Sequence, residues 1–146
     1  MTKNQTAPRI LSILAALFLL LTPLTACSGG VTREEAKTAM DALLTALDNE
    51  NYAEAAALYH PDAAMTEELL AAFAEQVKTK VGIDLTEGAT VEKITGMQSV
   101  YYDSTVGGSR YVLTARIKAG DKTADLTVEV IRNDRGYGIL KVECNP

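Results

Sequence analysis

Two apolar rhythms divide the chain at Gly82. Before it, hydrophobic residues return every three or four positions; after it they alternate, so helices are expected first and strands second. Thr32-Arg33-Glu34-Glu35 is a capping box, in which Thr32 accepts from the Glu35 backbone while the Glu35 side chain reaches back. Ala36, Ala39, Met40, Leu43, Leu44 and Leu47 then form one stripe along a helix ending near Asp48. A polar break over Asp48, Asn49, Glu50 and Asn51 leads to a short second helix carrying Tyr52, Ala55, Ala56 and Tyr59 on one face. His60-Pro61-Asp62 closes it, because the residue before a proline is pushed out of helical geometry. Thr66 caps a third helix, with Glu67 and Glu68 in its first turn and Lys78 and Lys80 in its last, the order that suits the helix dipole. Leu69, Leu70, Phe73, Val77 and Val81 are its expected buried side, and Gly82 can end it in a left-handed cap.

Four strands are expected beyond Gly82. Ala89 to Asp103 is a long strand whose alternation slips near Lys93-Ile94, the sign of a bulge, and Gly107-Gly108 supplies its turn. Tyr111, Leu113, Ala115, Ile117 and Ala119 alternate with polar neighbours, and Gly120-Asp121-Lys122 turns the chain into a strand with Ala124, Leu126, Val128 and Val130 inward. Asn133-Asp134-Arg135-Gly136 is a further hairpin signal before Tyr137, Ile139, Leu140, Val142 and Cys144. Helices segregated ahead of an antiparallel meander make one α+β domain over residues 32–146.

The N-terminal pattern is of a different kind. Lys3 and Arg9 are the only charges before Arg33, and Ile10 to Leu21 is a run of twelve residues interrupted only by Ser12. As a helix it rises roughly 18 Å, short of the roughly 30 Å hydrocarbon core that a spanning segment must cross, which favours a signal peptide over an uncleaved anchor. Leu24-Thr25-Ala26-Cys27 resembles the lipobox of bacterial lipoproteins. That resemblance implies a signal peptide over residues 1–26, a diacylglyceryl thioether on Cys27, and cleavage before it; a cysteine that merely follows a signal peptide is the plainer alternative. Two acyl chains hold a protein where one does so marginally, since each buried methylene contributes about 0.8 kcal/mol. Residues 27–31 are then the lipidated cysteine and a short tether whose Ser28, Gly29, Gly30 and Val31 extend at most roughly 14 Å. The domain is expected on the extracytoplasmic side of the membrane in the cell envelope.

Composition changes the picture in three respects. The 146 residues carry 14 Lys and Arg against 19 Asp and Glu. Without Lys3 and Arg9 the mature chain of 120 residues has a balance of −7, which disfavours nucleic acid as a partner. Cys144 is left without a second cysteine once Cys27 is lipidated, and reads as a small buried hydrophobe, with an intermolecular disulfide or a reactive thiol as alternatives. One histidine and one cysteine make no recognised metal spacing, and no cofactor motif is present: there is no G-x-S-x-G, no Walker loop and no H-E-x-x-H.

Ala42 to Leu44, and Leu47 through Asn51, Tyr52 and Tyr59 to Pro61, resemble the helical opening of nuclear transport factor 2-like (cystatin-like) domains, and Tyr137 and Ile139 match the aromatic–aliphatic start of that superfamily's final strand, although the usual tryptophan is absent. The resemblance spans roughly Thr32 to Glu143 and implies a curved four-stranded sheet wrapped around the first helix. Its enzymatic members work in the cone between helix and sheet, with a carboxylate or histidine as base and a tyrosine or acid stabilising an oxyanion. Here the resemblance offers Tyr59, His60, Tyr102 and Tyr111 as a possible pocket, with Asp62 and Tyr101 nearby in sequence. Capping or plain solvation explains His60 ahead of catalysis, and core or rim packing with a satisfied hydroxyl explains the tyrosines ahead of a site. Two functions follow: a non-catalytic, membrane-tethered module binding a small molecule, peptide or envelope protein, or a small cone-pocket hydrolase or isomerase. Leu43, Leu47, Phe73, Leu113 and Val128 filling the cone would favour the first; His60 or Asp62 lining a deep pocket opposite a tyrosine hydroxyl, the second.

Overall fold

A computed structural model describes residues 29–146; the expected signal segment 1–26, the box Leu24, Thr25, Ala26 and the lipidation site Cys27 lie outside the described residues. Among the described residues three helices precede four strands: α1 (Arg33–Asp48), α2 (Tyr52–Ala57), a single 3₁₀ turn (Pro61–Ala63), α3 (Glu67–Lys80), β1 (Thr90–Asp103), β2 (Gly108–Ala119), β3 (Lys122–Asn133) and β4 (Gly136–Asn145). The strands form one antiparallel sheet in sequence order, an α+β arrangement.

The local reasons are those the sequence carries. The capping box closes from both sides, with the Glu35 N–H donating to Thr32 Oγ1 at 3.2 Å and the Thr32 N–H donating to Glu35 Oε2 at 2.9 Å. The stripe of α1 lies against β2 and β3, and Met40, Leu43, Leu47, Leu113, Leu126 and Val128 are completely buried between them. Gly82, at φ +80°, ends α3 by donating to the Val77 carbonyl at 3.1 Å. Gly120, at φ +61°, opens the two-residue turn from β2 to β3, where a left-handed first position suits the twist of a hairpin.

The slip expected near Lys93 is present as register breaks between Val91 and Lys93 and between Ile94 and Gly96, with a third between Val100 and Asp103. β4 carries one more, which leaves Leu140 as the extra residue between Ile139 and Lys141. Such insertions bend a strand and raise its twist.

Three local expectations need correction. The helical face assigned to Tyr59 ends two residues early: α2 stops at Ala57 and Tyr59 instead bridges Ile139 in parallel. Two long-range backbone bonds win there over helix continuation, His60 N–H to the Ile139 carbonyl at 2.8 Å and Ile139 N–H to the Leu58 carbonyl at 3.0 Å. On α3 the buried side is Leu70, Ala74 and Val77, spaced four and three, whereas Leu69 is 54% exposed because it lies one position round the helix. Lastly, the tether does not run free up to Val31. Val31 is 4% exposed and donates its N–H to Ser109 Oγ at 3.1 Å, while the Gly29 carbonyl accepts from Arg132 at 3.3 Å. The chain is therefore laid across the sheet two residues after Cys27.

Candidate functional site

A polar cluster around a buried histidine is built where the chain leaves α2 and meets β4. His60 caps the 3₁₀ turn and is 1% exposed. Its Nδ1 accepts from the Asp62 N–H at 3.1 Å. An accepting Nδ1 carries no proton, so Nε2 holds the hydrogen and donates it to Asn133 Oδ1 at 2.9 Å. Asn133 Oδ1 also accepts from the Arg135 N–H at 2.9 Å, and its Nδ2 donates to Asp62 Oδ2 at 3.2 Å and to the Val106 carbonyl at 2.9 Å. Arg135 closes the ring of contacts at 2.7 Å from Asp62 Oδ2.

Both imidazole nitrogens are thus committed to the fold. A general base needs a nitrogen within reach of a proton to abstract, and here neither is unengaged. The backbone is as closely fitted as the side chains. A Cβ on Gly138 would stand 2.5 Å from the His60 nitrogen and 2.8 Å from the Tyr59 carbonyl carbon, so only glycine permits the approach.

Asp62 and Asn133, with Thr105, Val106 and Gly107, line an open cavity of about 530 Å³ beside this cluster, and His60 is not among its lining residues. Nor are Tyr59, Tyr102 or Tyr111. Tyr111 pairs across the sheet with Val130 and Val130 with Ile139, which bridges Tyr59. Three strand spacings, about 14 Å, therefore separate the backbones of the two buried tyrosines. Tyr111 donates its hydroxyl to Met97 Sδ at 3.5 Å. The Tyr59 hydroxyl is buried without a protein partner, and burial pushes its ionisation far up, so it remains a phenol. Tyr101 and Tyr102 are 75% and 66% exposed on β1. Of the sequence candidates, the structure joins His60 and Asp62 and leaves the tyrosines apart.

Asn133 is the residue that sequence reasoning missed. It reads as a turn former, and it does open the β3–β4 turn, but the same side chain bonds four residues and so ties that turn to the His60–Asp62 segment and to the β1–β2 turn. Only its Asx position at a hairpin marks it beforehand.

The space between α1 and the sheet is filled by Leu43, Leu47, Leu113 and Val128, all at 0% exposure. Phe73, expected among them, is only partly buried and lines a groove of about 280 Å³ between α3 and β4 with Val77, Val142 and Cys144. Cys144 is a free thiol, pushed up to about 11 by burial and by the Asp125 carboxylate. At neutral pH almost none of it is the nucleophilic thiolate. Among the described residues no group of three His, Cys, Asp or Glu could hold a metal ion, and no helix is long and apolar enough to cross a membrane. Comparison with known protein families, curated proteins and solved structures finds no match to this chain.

Proposed function

We propose that the protein is an extracytoplasmic lipoprotein, held to the membrane by acyl chains on Cys27, whose single domain is a non-catalytic binding or interaction module of the nuclear transport factor 2-like type. The observation that carries the choice of binding over catalysis is the apolar filling of the helix–sheet interior, where a cone enzyme needs its polar constellation. The bonded state of His60 supports the same choice, since the imidazole of the one histidine of the chain serves to fasten the 3₁₀ turn to the end of β3. Helices followed by a four-stranded antiparallel sheet with bulged outer strands, and Tyr137 followed by Ile139 at the start of β4, support the superfamily reading. A small molecule, peptide or envelope protein then has the outer surfaces and the open cavity at Asp62 and Asn133 to bind.

Mass spectrometry of the protein purified from the membrane fraction tests this. A mature chain beginning at a diacylated Cys27 is the expected result, with any co-purifying small molecule naming the ligand class. An intact Met1, or a free thiol on Cys27 of the membrane-bound form, overturns it.

A further inference from the structure

The described residues expose five large hydrophobic side chains: Leu69, Met97, Tyr101, Tyr102 and Tyr137. The three aromatic ones gather at one end of the sheet. Ser109 pairs with Arg132 and Arg132 with Tyr137, so β2, β3 and β4 contribute a single row, and Tyr101 and Tyr102 continue it on β1 in the bulge between Val100 and Asp103. Tyr52, Tyr59 and Tyr111, elsewhere in the fold, are partly or fully buried.

The N-terminal chain crosses this row. The Gly29 carbonyl is bonded to Arg132, and the position a side chain would take on Gly30 is 3.5 Å from the Tyr101 ring and 3.6 Å from Ser109. Two peptide units separate Gly29 from Cys27, so the Cα of Cys27 lies within about 7.6 Å of the Gly29 Cα whatever path the chain takes. The tyrosines flank the point from which the anchor departs.

We infer that this tyrosine-lined end of the sheet is a membrane-contacting surface, seated on the lipid headgroups by the anchor at Cys27. The inference rests on the lipoprotein reading above. Tyrosine suits the occupant at positions 101 and 102, since its ring is apolar and its hydroxyl keeps hydrogen bonds at the headgroup level, whereas the Tyr137 hydroxyl is donated to the Glu35 carbonyl at 3.1 Å. The end also limits electrostatic repulsion despite the acidic balance of the domain. Arg132 is paired with Glu35 at 2.6 Å, and Arg110 lies 3.2 Å from Asp103 and 3.6 Å from Glu129. With a two-residue tether fixed to the sheet, the domain stands on this end in one orientation. The β2–β3 turn at Asp121 then lies about 33 Å farther out along the strands, and the α3–β4 groove faces away from the bilayer toward partners.

The absence of tryptophan from the chain provides the test. Protein purified from the membrane fraction and carrying Tyr102→Trp, Tyr101→Trp or Asp121→Trp, each then the sole tryptophan, is reconstituted into phosphatidylcholine–phosphatidylglycerol vesicles containing brominated phosphatidylcholine. Fluorescence of the two β1 reporters is expected to be quenched several-fold more strongly than that of the Asp121→Trp reporter. Equal or absent quenching at both β1 positions, with Cys27 diacylated by mass spectrometry, overturns the membrane-contact surface and leaves the anchor standing. Protein without lipid on Cys27 that stays off the vesicles overturns the lipoprotein reading and this inference together.

Discussion

The helical layer joins the sheet in two unlike ways. α1 meets β2 and β3 through Leu43, Leu47, Leu113 and Val128, an apolar contact with no directional bond at its centre. The segment from Leu58 to Asp62 meets β4 through backbone bonds to Ile139 and the end of β3 through the His60–Asn133–Asp62 network. The first join tolerates small shifts, because burial scales with area and has no preferred angle. The second does not, because each donor has one acceptor and Gly138 leaves no room for a Cβ. Apolar contact holds the layers together, and the polar seam fixes where the chain enters them.

Substitution in each join separates the two roles. Leu113→Ala removes a fully buried side chain facing α1 and should destabilise the domain by about 2–5 kcal/mol, measured by urea unfolding. His60→Ala should cost less, about 1–3 kcal/mol, mainly by stranding the Asp62 N–H and one bond of Asn133. The character of the loss should differ as well. Hydrogen exchange in Leu113→Ala should rise across all four strands, whereas in His60→Ala it should rise first at His60 and Ile139, whose amides bond across the seam. Uniform exchange in both variants would break the distinction.

The same contrast governs how much was legible beforehand. The stripe of α1, the caps at Thr32 and Thr66, the alternation of β2 and β3 and the slip in β1 follow from local chemistry and periodicity, and each was readable. The seam was not. Tyr59 sits at helical spacing from Tyr52, Ala55 and Ala56, yet its backbone is claimed by Ile139, eighty residues away, which no local window contains. His60 before a proline reads as a cap, and it is one, but its second nitrogen reaches Asn133 only because the sheet brings that turn back. The attachment of residues 29–31 is illegible for a related reason: the donor that holds the Gly29 carbonyl and the acceptor that holds the Val31 N–H come from β3 and β2.

The start of α1 combines both kinds of join. Burial pushes the Glu35 carboxyl up, but the Thr32 N–H and the Arg132 guanidinium outweigh it and hold the group below its ordinary value. Thr32→Ala removes the hydroxyl that accepts from the Glu35 N–H and should cost about 0.5–2 kcal/mol by the same unfolding measurement. Because Glu35 also bonds Arg132, which holds Gly29, the variant should expose the Gly29–Val31 segment to proteolysis before the rest of the domain opens. Resistance of that segment in Thr32→Ala would show that Ser109 and Arg132 hold it without help from the cap.

The weakest join sharpens the comparison by its pH dependence. Asp84 anchors the chain leaving α3 by a hydrogen bond from Lys78 at 2.7 Å, and Thr86 adds two more, from its hydroxyl at 2.7 Å and its N–H at 3.0 Å. Together they hold its carboxyl down at about 2. A carboxyl depressed in the folded state binds its proton more weakly there than in the unfolded chain, so it stabilises the fold above its ordinary value of 3.8 and loses that effect as pH falls toward 2. Lys78 is 57% exposed, so solvent screening limits the pair, and Asp84→Asn should cost at most about 1 kcal/mol at pH 7. The gap between wild type and Asp84→Asn should narrow between about pH 4 and pH 2, and 1 M salt should reduce it at neutral pH by shortening the screening length to about 3 Å. The Leu113→Ala deficit should be unchanged by salt of that screening strength, since no charge takes part in it. A gap for Asp84→Asn that is constant across that pH range would show that the charge pair with Lys78 takes no part in the attachment.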